Sequence, residues 1–150
     1  MEHQVKIFLA EDDRDDSFLF QEALARLPYS TSLHLAQDGE LLLDLLHNQS
    51  IPDFIFLDLN MPKKDGYTCL VEIRSLKKME KVPVIIMSTS FQEQSIQRAY
   101  DAGATMYVPK PDNFMDLVRI IEICLQQQGQ YPDKPSKENF LLTIQSGRML

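Results

Sequence analysis

Polar residues of a narrow set of types close four short apolar runs of this chain. VKIFLA (Val5–Ala10) runs into Glu11, Asp12 and Asp13, and DFIFLDL (Asp53–Leu59) carries Asp58 and leads to Asn60, Met61 and Pro62. VPVIIMS (Val82–Ser88) ends in Ser88, Thr89 and Ser90, and TMYVPK (Thr105–Lys110) ends in Lys110 and Pro111. Two carboxylates about 4 Å apart repel by roughly 4 kcal/mol at an effective dielectric near 20. Glu11, Asp12 and Asp58 gathered in one crevice would therefore need a proton, a cation or a partner charge. A hard divalent ion such as Mg2+ suits them, since it takes few carboxylates, keeps water and bridges to phosphate oxygens. Lys110 reads as a counter-charge that can also bind a phosphoryl oxygen. No thiolate or imidazole cluster accompanies them, so zinc and iron fit poorly. Asp58 tells most, because it interrupts the apolar run FIFLDLN, where an unpaired charge costs stability. Asp13, Asp15 and Asp16 read instead as helix N-caps or solvated loop charges. Ser88 or Lys110 alone would be a strand-end hydroxyl and a surface lysine; together at the strand ends they favour a site.

The elements that must bring these residues together follow from the periodicity. With Ser32–Ala36, the apolar runs make five pieces of strand length. Those around Ile7, Ile55 and Ile85 are apolar almost throughout, as expected of strands covered on both faces. Helix-period segments alternate with them: Asp15–Leu27, Asp38–His47, Gly66–Lys78, Gln92–Ala102 and Asp112–Gln128, two of them ending at Gly103 and Gly129. Five strand–helix pairs imply an α/β fold with parallel strands, right-handed crossovers and helices on both faces. Sites in such sheets form beyond the carboxyl ends of the strands, where the acids, hydroxyls and lysine all lie. Residues 1–129 form this domain. Residues 130–150 read as a C-terminal extension: a Pro- and charge-rich linker (Tyr131–Asn139), then a short apolar piece (Phe140–Gln145) that is a strand or a docking segment.

Composition narrows the class. The chain has 150 residues and a net charge of -7, which disfavours a general nucleic-acid binder. Cys69 and Cys124 sit in apolar helical patterns and suggest neither a disulfide scaffold nor a zinc site. The N-terminus has no basic region ahead of its apolar run, and no apolar stretch approaches the ~18 residues that span a bilayer. A cytoplasmic protein with no membrane partner is the expectation.

The pieces IFLAEDD, DFIFLDLNMPKKDG, VPVIIMSTS, the AGA of residues 102–104 and YVPKP resemble the receiver domain of bacterial two-component response regulators, from about Val5 to Gln128. LDLNMPKKDG, a strand-end hydroxyl thirty residues beyond its Asp and Lys-Pro twenty-two residues later form a specific combination. The STS string and the PKKDG loop are similar to single-domain regulators that partner bacterial phytochrome kinases.

The resemblance implies a flavodoxin-like, doubly wound (βα)5 sheet of strand order 2-1-3-4-5. It makes Asp58 the phosphoacceptor. Asp12 and Asp58 become direct Mg2+ ligands, Glu11 acts largely through water, and the backbone carbonyl of Asn60 is the third protein ligand. Ser88 becomes the switch hydroxyl, Lys110 the family lysine with a cis bond to Pro111, and Tyr107 the aromatic switch that turns inward on phosphorylation. Thr89 stands where many receivers carry Ala or Gly. With Asn60 and Ser90 it is expected to line the path of attacking water and to slow self-dephosphorylation.

The implied function is signalling rather than metabolic catalysis. A sensor histidine kinase or phosphotransfer protein supplies the phosphoryl group, and protein contacts change in response. The length leaves no room for a DNA-binding output domain, so a downstream protein is the expected target. The alternative is a pseudo-receiver that binds partners without taking phosphate; the intact set Glu11, Asp12, Asp58, Ser88 and Lys110 argues against it. A haloacid-dehalogenase-type phosphatase would want Asp at position 60, a flavodoxin-like cofactor protein a hydroxyl-rich loop in place of EDDRDD, and a P-loop enzyme GxxxxGK[ST]. None is present. The fifth helix carries Phe114, Met115, Val118, Ile120, Ile121, Ile123 and Cys124, more apolar positions than one buried stripe needs. A homodimer through that helix and the fifth strand is one reading, and a helix with a few exposed apolar residues is the other.

Overall fold

Alternation along the central strands decides which side chain meets which layer. In a computed structural model describing residues 3–145 and 148–149, β1 (Val5–Ala10) sends Val5, Ile7 and Leu9 to one face and Phe8 and Ala10 to the other. β3 (Phe54–Leu57) likewise divides Phe54 and Phe56 from Ile55 and Leu57. β3 is apolar throughout, and β1 in all but Lys6, because each face is covered. With β2 (Thr31–Ala36), β4 (Val84–Ser88) and β5 (Met106–Pro109) they form a parallel sheet of order β2-β1-β3-β4-β5. This is the flavodoxin-like order that the resemblance implies.

Helices α1 (Arg14–Ala25) and α5 (Phe114–Gln126) cover the face that bears Phe54 and Phe56. On the other face lie α2 (Gly39–Asn48), α3 (Gly66–Ser75) and α4 (Glu93–Asp101). Side-chain caps explain where four of the five helices begin: Asp13, Asp38, Asp65 and Asn113 each accept a hydrogen bond from a backbone N–H three residues on. The third helix stops at Ser75, short of the expected Lys78. Leu76 is extended there, and Lys77–Met79 form a separate 3-10 turn. Arg74 holds this corner, donating to the carbonyls of Gly103 (2.7 Å), Met79 (3.0 Å) and Val82 (2.9 Å) and to the Thr105 hydroxyl (3.1 Å). At the other end of α3, Gly66 lets the helix close over the end of β3. A Cβ there would lie 2.4 Å from the Asp58 carbonyl oxygen and 2.6 Å from the Leu59 Cα.

The extension is tied to the domain. A short helix α6 (Lys137–Phe140) delivers Phe140 into the core, 2% exposed. Leu141 bridges Tyr107 in parallel, and the Leu142 N–H donates to the Tyr107 carbonyl at 2.9 Å, so residues 141–142 add to the outer edge of β5. Tyr131 donates to the Cys124 carbonyl (2.8 Å) and Tyr100 to that of Pro135 (2.9 Å). Part of the apolar surplus of α5 is spent here: Ile123 shares a cleft with Tyr131 and Leu142, while Met115 stays exposed. The apolar piece Phe140–Gln145 thus docks on its own chain and ends in strand β6 (Ile144–Gln145), paired antiparallel with β7 (Arg148–Met149). No helix among the described residues is long and apolar enough to cross a membrane.

Candidate functional site

The register of the three central strands places the acids side by side. Ala10 pairs with Leu57, so Glu11 and Asp58 leave adjacent strands at the same level. The Asp58 N–H donates to the Ala10 carbonyl (3.0 Å) and the Glu11 N–H to that of Ala36 (3.0 Å). Beyond these bonds the chains diverge into a crevice. One carboxylate oxygen from each of Glu11, Asp12 and Asp58 lies within 4.8 Å of the others. Glu11 and Asp58 are only 5% and 6% exposed, whereas Asp12 faces solvent.

Lys110 reaches this cluster from the end of β5. Its backbone N–H donates to the Ser88 carbonyl at 2.7 Å, which fixes the stem. Its Nζ lies 2.8 Å from Glu11 Oε1, 2.7 Å from Asp16 Oδ2 and 3.3 Å from Asp58 Oδ2. No peptide bond among the described residues is cis, which corrects the cis Lys110–Pro111 bond implied by the resemblance. An ordinary trans bond, intrinsically favoured by about 0.5–1 kcal/mol, already delivers the ammonium to the acids.

The electrostatics follow from burial. Desolvation raises the Glu11 carboxyl first, with its hydrogen bond to Asp58 adding to the effect. Lys110 opposes both, and the result is a pKa pushed up to about 8. Burial works against the charge of Lys110, but hydrogen bonds to Asp16 and Glu11 and the charge of Asp58 outweigh it, holding the ammonium above its ordinary range. Two buried carboxylates, a third at the rim and one lysine leave a negative surplus. Three hard oxygen donors within reach of one ion match the chemistry of Mg2+ or a similar cation.

Hydroxyls line the β4 side. Ser88 is fully buried, and its Oγ accepts from the Ser90 N–H at 3.1 Å. Asp58 Oδ1 accepts from the Asn60 N–H at 3.1 Å. Asn60 and Thr89 are exposed and share the open mouth of the crevice with Asp12, Asp58 and Lys110. Ser90 stands one step farther out, its Oγ donating to the Ser95 Oγ at 3.1 Å. Tyr107 differs from the expectation that it awaits phosphorylation to turn inward. Its side chain is already 0% exposed, and its hydroxyl donates to the Ser90 carbonyl at 2.9 Å. Phe140 packs on it, with ring centroids 6.3 Å apart.

Every residue expected in the site therefore lies in the crevice or along the path from Ser88 through Ser90 to Tyr107. Asp16 differs from the expected N-cap or solvated charge: Asp13 is the N-cap, accepting from the Asp16 N–H, and the Asp16 carboxylate pairs with the lysine. Helix phase was the available signal: with Asp13 at the cap, Asp16 stands in the first turn, the part of α1 nearest the β1 end.

Comparison with known proteins agrees with this geometry. Residues 7–122 match the family model described as the response regulator receiver domain. The chain is 33% identical over 122 residues to the response regulator Rcp1 of Synechocystis sp., covering 77% of this chain and 83% of that one. It superposes on the phosphorylated cyanobacterial phytochrome response regulator RcpA with a TM-score of 0.79 at 36% identity, covering 89% of this chain and all of that one. The Mn2+-bound form of Rcp1 matches with a TM-score of 0.75 at 30% identity, covering 88% and 99%. Receiver domains hold a divalent metal in an acidic pocket, and the cluster of Glu11, Asp12 and Asp58 fits Mg2+.

Proposed function

The chain belongs to the response regulator receiver family of two-component signalling, and on that premise we propose that Asp58 accepts a phosphoryl group from a partner's phosphohistidine in a Mg2+-dependent reaction. The observation that carries this reading is the Asp58 carboxylate held at the crevice floor within 3.3 Å of Lys110 and within 4.8 Å of the other two acids. An oxygen of Asp58 attacks phosphorus in line. The O–P bond forms as the P–N bond breaks, and the departing imidazole takes up a proton. Asp58 Oδ1 is steadied by the Asn60 N–H, which leaves Oδ2 as the oxygen beside the lysine.

Glu11, Asp12, Asp58 and the Asn60 carbonyl would hold Mg2+, which supplies charge neutralisation at the transferring phosphoryl oxygens. Lys110 donates to one of those oxygens, and the barrier falls mainly through such positioned charge. The product on Asp58 is an acyl phosphate, which in-line water then hydrolyses. Thr89, exposed beside the mouth with Asn60, narrows that water's approach and slows the loss.

The switch leaves through Ser88. Its hydroxyl, buried under the Ser90 N–H, turns to the new dianion and releases that N–H. The β4–α4 loop moves with Ser90, and the bond from Tyr107 to the Ser90 carbonyl carries the shift to β5. A receiver with Tyr107 already inward starts close to its signalling conformation, so phosphorylation adjusts a pre-existing equilibrium. The output is a change in protein contacts made by residues 1–129, with residues 130–150 as a C-terminal extension.

The reading is tested with a histidine kinase core preloaded with phosphate. The protein should gain one phosphoryl group by intact mass, with no gain in EDTA and none in Asp58→Asn. A chain that binds the kinase but takes no phosphate in Mg2+ would be a pseudo-receiver.

A further inference from the structure

The shortest contact of Lys110 is made with a residue the reaction does not require. Asp16 Oδ2 lies 2.7 Å from Nζ, against 2.8 Å for Glu11 and 3.3 Å for Asp58. An ammonium has three protons and no more. Each of the three carboxylates takes one, and two of those carboxylates are the buried acids of the metal cluster. Asp16 is separated from Lys110 by 94 positions and approaches from the first turn of α1. Its place is fixed by its own backbone, since its N–H is bound by the Asp13 cap at 2.9 Å. The side chain is thereby free to serve the lysine.

We propose that Asp16 is a positioning residue that takes a share of the Lys110 ammonium and so weakens the lysine's competition with the divalent cation for Glu11 and Asp58. Without the Asp16 carboxylate, the third ammonium proton turns to the oxygens that remain in reach, and those belong to Glu11 and Asp58. The lysine, already in contact with both, is then a stronger rival cation on the ligands the metal needs. With Asp16 present, the ammonium is shared between α1 and the two buried acids and stays within reach of a group added to Asp58. Most exposed ion pairs do nothing of the kind, because water screens them. Here Asp16 is 39% exposed, but the lysine it holds is only 17% exposed and that lysine's other acceptors 6–7%, so the effect is felt among buried groups.

The inference rests on the reading of the crevice as a Mg2+-dependent phosphoryl acceptor, but its primary test does not need the phosphoryl step. Mg2+ binding is measured by titration calorimetry on the full chain and on Asp16→Asn, Lys110→Met and the double variant. Asp16→Asn should weaken Mg2+ binding about tenfold when Lys110 is present. In the Lys110→Met background the same change should cost about threefold at most, the remainder being the non-additivity that marks two groups acting through one another. Asp16→Glu, which keeps the carboxylate on a longer arm, should recover most of the affinity, whereas a helix-cap role would be indifferent to it.

Equal losses in both backgrounds would overturn the proposal, because Asp16 would then act on the cation by its charge alone. No loss in either would overturn it as well. Phosphoryl incorporation is measured on the same four proteins to separate this failure from failure of the functional reading. Coupled Mg2+ binding without phosphoryl incorporation would refute the acceptor reading and leave the positioning role. Phosphoryl incorporation with equal Mg2+ losses would do the reverse.

Discussion

The crevice and the outer edge of β5 are joined by a single short strand, and opposite forces hold them. At its carboxyl end the strand delivers Lys110 into a group of carboxylates whose like charges are only partly balanced. Along its edge it receives Leu141 and Leu142 by backbone pairing and lies under Phe140, with no charge involved. The first region is destabilised by its own groups and gains chemistry from it. The second is ordinary apolar packing that adds stability and hides a sheet edge, which unpaired would be a template for other strands. Tyr107 belongs to both: its ring meets Phe140 and its hydroxyl binds Ser90, two residues beyond Ser88. Changes in the crevice should therefore alter phosphoryl chemistry far more than stability, and changes at the edge should do the opposite.

The largest separation of the two is expected for Lys110→Met. Phosphoryl incorporation from acetyl phosphate in Mg2+ should slow about a hundredfold, the usual cost of losing one positioned charge at a transferring group. A slowing of less than about threefold by quench-flow mass analysis would place the catalytic charge elsewhere. Phe140→Ala is the counterpart at the edge. It should lower stability by about 2 kcal/mol in urea, less than the ~3–5 kcal/mol of a central core phenylalanine, because the extension can detach instead of leaving a cavity. Its phosphoryl incorporation should stay within about twofold of the parent, since Phe140 touches none of the acids. A large loss of phosphoryl uptake would show that the edge and the crevice are one unit.

Glu11 sharpens the contrast through pH. Its folded pKa is raised from 4.5 to about 8, so between those values the folded chain holds a proton that the unfolded chain has released. The stability this contributes is complete below pH 4.5 and is lost as pH rises through about 8. Mg2+ must displace that proton, so its affinity should rise across the same window. Urea unfolding from pH 5 to 8.5, with and without Mg2+, should show metal-free stability declining relative to Glu11→Gln and Mg2+ reversing the decline. The same trend in both proteins would remove Glu11 as the cause. Thr89→Ala should have the smallest effect, shortening the lifetime of the phosphorylated protein about threefold, which is under 1 kcal/mol of barrier. An unchanged lifetime would mean that Thr89 does not obstruct water.

The same contrast explains how much could be read from the residues alone. Asp58 announces itself because a carboxylate inside FIFLDLN has no apolar reason to be there. Glu11, Ser88 and Lys110 follow once parallel strands bring their ends to one side. The helix caps at Asp13 and Asp38 are equally local in origin, whereas the strand order is non-local and is implied only by the family resemblance. Asp16 was hidden by company: EDDRDD offers several acids, and only the phase set by the Asp13 cap turns one of them to the lysine. Arg74 gave no signal, since its role is to tie together carbonyls from separate loops. The docking of Phe140 depends on where β5 leaves an edge open, and the inward pose of Tyr107 under it is a matter of packing that no motif records.

If the crevice is the place of phosphoryl chemistry, the acyl phosphate formed there can be located chemically. After incubation with acetyl phosphate and Mg2+, borohydride reduces an aspartyl phosphate to homoserine, which peptide mass mapping identifies. We predict homoserine at position 58 and at no other aspartate, with none formed when Mg2+ is chelated. Homoserine at Asp12, Asp13 or Asp16, or an unmodified Asp58 under conditions that phosphorylate a control receiver, would contradict it.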